Sequence, residues 1–110
     1  MITVSQIYNE VEKLVNEYPE AIYKGHCNYI TGKVENGPKE EGCIIGQAIR
    51  RLDPGFDFGC RDGSPIGHLV NSSILNFEND STEKLIKLID TQIHQDAGHN
   101  WRISFLRAQK

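Results

Sequence analysis

The chain has 110 residues, of which 38% are hydrophobic and 25% charged, and its formal net charge is −3. That size and balance suit one small domain with a modest core, and no apolar run approaches the roughly 20 residues of a membrane span. The slight negative charge argues against duplex nucleic acid as a partner, which needs a concentrated positive face; the basic residues gather thinly, at Arg50-Arg51 and in the tail with Arg102, Arg107 and Lys110.

The first ten residues, MITVSQIYNE, lack the basic region and apolar block of a signal peptide. The expected location is therefore the cytoplasm. Cys27, Cys43 and Cys60 are an odd set for a disulfide framework and are expected as thiols in a reducing compartment.

Residues 4–18 are predicted helical. Thr3 and Gln6 match a capping box, Ile7, Val11, Leu14, Val15 and Tyr18 make one apolar stripe, and Pro19 closes the segment. Residues 26–35, HCNYITGKVE, suit an extended strand or a hairpin turning at Gly32, and NGPKEEG is a polar turn after it. The second helix spans 42–52. Glu40 and Glu41 precede it and Arg50 and Arg51 close it, which complements the helix dipole. Its buried stripe is Ile45, Ala48, Ile49 and Leu52, Gly46 permits close approach of another backbone, and DPG at 53–55 stops it.

Residues 55–63 read as a glycine-rich loop. Ser64-Pro65 looks like a cap and first helical position of a short helix, and 73–78, SILNFE, reads as a strand or extended connection. A long helix is predicted over 82–97, with Asp80 or Ser81 as cap, Glu83 in the first turn, and Leu85, Ile86, Leu88, Ile89 and Ile93 at helical spacing. Gly98 is its stop, and Asn100 then caps a last helix carrying Trp101, Phe105 and Ala108. No internal repeat, linker or low-complexity segment divides the chain.

The expected fold is thus α+β: a single compact domain over 1–110, mainly helical, with four or five helices and a short β-hairpin or a few short strands. The 42–52 helix should sit at its centre against the first helix and the 82–97 helix. Ile45, Ile49, Ile89 and Ile93 are expected to share that core, because three one-sided stripes are most cheaply removed from water together.

Cys43 carries the first chemical question. At a helix start the dipole and free amides favour a thiolate, and His26, His68, His94 and His99 are available as a base. The charges of Glu40 and Glu41 oppose a thiolate, and the following IIGQAI is built for burial, where cysteine is at home. Cys43 is therefore expected to be structural; the alternative is a nucleophile with His94 or His26 as base. The same glutamates make this helix start a poor phosphate site, and no Lys-Ser/Thr follows as in a phosphate loop. His26, Cys27, Cys43, Cys60 and His68 lack the paired spacings of a zinc site, so no metal and no cofactor is assigned.

The second unusual stretch is QIHQDAGHNWR, 92–102. Its polar groups have a plain reading: Asp96 and Asn100 bond the helix break while Trp101 packs into the core. The sharper reading makes Gln95, Asp96, His99, Asn100 and Arg102 a ligand site, with an anion at the start of the last helix beside His99 and Arg102.

Two segments together resemble a pattern in small uncharacterised proteins of bacteriophages and their hosts. In that pattern a cysteine-glycine-alanine helix is followed by a C-terminal Gln-Asp-x-Gly-x-x-Trp segment. The matching positions are Cys27, Tyr29, Gly42, Cys43, Gly46, Ala48, Gln95, Asp96, Gly98 and Trp101. The resemblance implies a phage or prophage origin and action in the host cytoplasm, and it brings no established activity. The functional expectation is a non-enzymatic binding protein, with homo-oligomerisation open. It would sequester a small anionic ligand, of nucleotide type, or block a host protein, as in counter-defence or host takeover. The competing expectation is a cysteine-dependent hydrolase or transferase.

Overall fold

The computed structural model describes residues 3–25, 29–30, 32–56 and 82–109. Several expectations lie outside these: His26, Cys27, Cys60, His68, the Ser64-Pro65 turn, the 73–78 segment and the Asp80 or Ser81 cap. Within the described residues the fold is α+β and mainly helical, with four helices and one two-stranded sheet. No described helix is long and apolar enough to cross a membrane.

Helix α1, Val4–Glu17, begins at the capping box. Gln6 N–H donates to Thr3 Oγ1 at 3.1 Å and Thr3 N–H to Gln6 Oε1 at 2.9 Å, which satisfies two amides reciprocally. Val4, Ile7, Val11, Leu14 and Val15 are buried, each large aliphatic side chain contributing about 1.5–3 kcal/mol of transfer free energy.

Strand β1, Ile22–Tyr23, pairs antiparallel with β2, Val34–Glu35, in the register Ile22↔Glu35 and Tyr23↔Val34. Lys24 N–H extends the ladder to Lys33 O at 2.8 Å. The strand expected over 26–35 is therefore confined, among the described residues, to its last two positions. Its partner is a pair of residues that the pattern did not mark. The reason is the use made of Tyr29, which is fully buried and whose backbone lies on α2. A Cβ at Gly46 would fall 2.0 Å from Tyr29 O, so only glycine admits this crossing.

Helix α2, Ile44–Leu52, is buried on every side of its first two turns, from Ile44 to Ile49. It packs against both α1 and the helix α3, Thr82–Asp96, as expected of a central element. Arg51 ties it to α1 through Glu17 at 2.9 Å and Glu10 at 3.8 Å. Helix α4, Trp101–Ala108, makes its most extensive contact with α3. The chain turns between them at Gly98, whose φ of +100° is left-handed.

Helix α3 departs from the expected orientation. Leu88 is fully buried and Leu85 and Ile89 pack partly on the core, but Ile86 and Ile93 are more than half exposed. The buried face instead carries Thr91, Gln92 and Gln95, which continue from Leu88 at helical spacing. Ile93 is thus corrected from core to surface. What outweighs its burial is a hydrogen-bonding demand at the start of α2, which Gln95 meets.

Candidate functional site

Cys43 is the N-cap of α2, in extended conformation at φ −69° and ψ 168°. Its side chain is fully buried, and Sγ accepts the Gly46 N–H at 3.4 Å. The next amide, Ile44 N–H, donates to Gln95 Oε1 at 2.8 Å, a buried bond across 51 positions of sequence. Gln47 N–H bonds Cys43 O at 2.9 Å. These bonds engage the Ile44, Gly46 and Gln47 amides, most of those at this helix start that an anion or an oxyanion would need. The sulfur is placed as a cap inside the core, in keeping with a structural residue.

The sequence-predicted ligand residues divide into two groups. Gln95 and Asn100 are committed to the fold. Gln95 is fully buried, and its Nε2 donates to Asp96 Oδ1 at 2.9 Å. Asn100 caps α4, with Oδ1 accepting from Ile103 N–H at 2.8 Å. Trp101 N–H bonds Ala21 O at 2.8 Å and Arg102 N–H bonds Pro19 O at 3.2 Å. With all three first-turn amides engaged, an anion near α4 has only side chains to meet it.

Asp96 and Arg102 are exposed, and His99 is half-buried. Arg107, on the last turn of α4, reaches back to His99, with Nη1 3.4 Å from Nε2. A guanidinium only donates, so this contact is a hydrogen bond in the tautomer that carries its proton on Nδ1. The His94 ring stands edge-on to His99, with centroids 6.0 Å apart. Among the described residues neither Arg102 nor Arg107 has a carboxylate partner, whereas Lys13, Lys24, Arg51 and Lys87 each do. In sequence Arg107 is a tail charge; α4 carries it back over the helix break to His99. No three of His, Cys, Asp and Glu converge as metal ligands among the described residues.

Fold and site together define a small, mainly helical α+β protein with a buried polar anchor between two helices and a cationic corner at the α3–α4 turn. No protein-family model matches the chain, and no curated protein or solved structure shows significant similarity to it.

Proposed function

We infer that this chain is a non-enzymatic binding protein of phage or prophage origin. In the host cytoplasm it captures a small anionic ligand, of nucleotide type. The observation that carries this reading is the charge placement at the α3–α4 corner. There His99 sits in the turn and Arg102 and Arg107 on the anchored helix that follows, and among the described residues neither arginine is neutralised by a carboxylate. Unpaired guanidinium groups are suited to paired hydrogen bonds with phosphate or carboxylate. The phage setting rests on the resemblance of the 27–48 and 95–101 segments.

The burial of Cys43 supports a binding role over the hydrolase alternative, since a nucleophile needs access to substrate and a base within reach. Native mass spectrometry of protein taken directly from cells tests the reading, because it reports retained ligand and oligomeric state together. Arg102→Ala and Arg107→Ala should each weaken binding of the retained ligand in calorimetry by about tenfold, the loss of a charge-assisted hydrogen bond, with the circular dichroism spectrum unchanged. Affinity unchanged from the unsubstituted protein in both variants would remove the corner as the site. A Cys43→Ala protein that folds normally but loses biological activity would instead establish the enzyme, with His94 as its candidate base.

A further inference from the structure

A second constellation lies beside α2. A cavity of about 170 Å³ is lined by Glu40, Gln47, Arg50 and Arg51. Gln47 is buried to 4% exposure, and its Nε2 donates to two loop carbonyls, Glu40 O at 2.9 Å and Gly42 O at 3.1 Å. Two acceptors on one nitrogen fix the amide orientation, so Oε1 is held as an acceptor and cannot exchange roles with Nε2. Among the described residues no hydrogen bond reaches Oε1. Among the described residues the one side-chain polar atom both sealed from solvent and unpartnered is Trp101 Nε1. Oε1 is thus not sealed off, and Gln47 is one of the residues that line the cavity.

The charges around it are unequal. Arg51 is matched by Glu10 and Glu17. The Arg50 guanidinium donates to the carbonyls of Gly46 and Glu41 and has no carboxylate partner among the described residues. Glu40 is exposed and has no ion pair among the described residues. The cavity thus sets two acceptors, Gln47 Oε1 and the Glu40 carboxylate, against one uncompensated cation.

We propose that this cavity binds a small molecule with N–H donors on one edge and an anionic group on the other. The donors meet Gln47 Oε1 and the Glu40 carboxylate, and the anion meets Arg50. The volume is below the roughly 300–1,000 Å³ of sites that enclose a whole drug-sized ligand, so a group the size of a nucleobase or an amino acid enters. A guanine nucleotide and a free α-amino acid both carry this chemistry. The site uses none of the residues of the α3–α4 corner, so each can stand or fall alone.

The experiment is a two-arm titration of ¹⁵N-labelled protein, with guanosine 5′-monophosphate in one arm and a mixture of α-amino acids in the other. In one arm the Gln47 side-chain amide and the Arg50 Nε–H signals should shift saturably. Glu40→Gln, a surface change that leaves the backbone carbonyl of Glu40 in place, should weaken that response by about tenfold. Unmoved Gln47 and Arg50 signals in both arms up to about 1 mM ligand, the limit of weak specific binding, would overturn the site. So would a response equally strong in Glu40→Gln. Shifts confined to His99, Arg102 and Arg107 would overturn it too while leaving the corner standing.

Discussion

Helices α2 and α4 each begin at a residue whose side chain caps them, and each borrows a further acceptor from elsewhere in the chain. At α4 the cap is an amide oxygen 2.8 Å from Ile103 N–H, and the extra acceptors are the backbone carbonyls of Pro19 and Ala21. At α2 the cap is a sulfur at 3.4 Å, and the extra acceptor is one side chain, Gln95. Asparagine is among the strongest N-caps and cysteine is not, because sulfur accepts weakly. The α2 start is also buried on all sides, so water cannot take over an unmet amide. The comparison teaches that burial, more than capping propensity, sets how much a helix start demands of the rest of the protein. At α2 that demand reaches α3 and turns a polar face inward.

The sharpest way to break this comparison is Gln95→Leu. It keeps an apolar volume but leaves Ile44 N–H buried without an acceptor. Denaturant unfolding should show a loss of about 2–3 kcal/mol, the cost of a stranded buried donor. Asn100→Ala removes the stronger cap at a start whose second residue, Arg102, is exposed. It should cost about 1 kcal/mol in the same measurement. If Asn100→Ala proved the more damaging of the two, burial would not be the controlling quantity. The smallest effect belongs to Cys43→Ala. It also leaves a buried donor, Gly46 N–H, without its cap. That donor meets only a long and weakly accepting sulfur in the native protein, so little hydrogen-bond energy is lost and the cost should be about 0.5–1 kcal/mol. Iodoacetamide should modify Cys43 only as the protein unfolds; rapid alkylation of the folded chain would mean that this cap is open, and the pairing of the two helix starts would fail.

Much of the local structure was legible in the residues. The capping box at Thr3, the stripe of α1, the turn at Gly98 and the cap at Asn100 all rest on short-range rules. Each depends on a few neighbouring residues, and their chemistry is complete within one or two turns. The candidate site was legible in composition but not in role. Arg102 is exposed at the corner, Asp96 accepts from Gln95 and His99 meets Arg107, whereas Gln95 and Asn100 carry hydrogen bonds that hold the helices.

Among the described residues, residue order alone thus determined to within a residue or two where helices start and stop, because caps, prolines and glycines act on their own segment. It did not determine which face of α3 turns inward. Counting apolar residues favours Ile86 and Ile93, yet both lie at the surface while Thr91, Gln92 and Gln95 are buried. That choice belongs to tertiary structure. An amide 51 positions away needs an acceptor in a place without water, and only assembly of the helices creates the need.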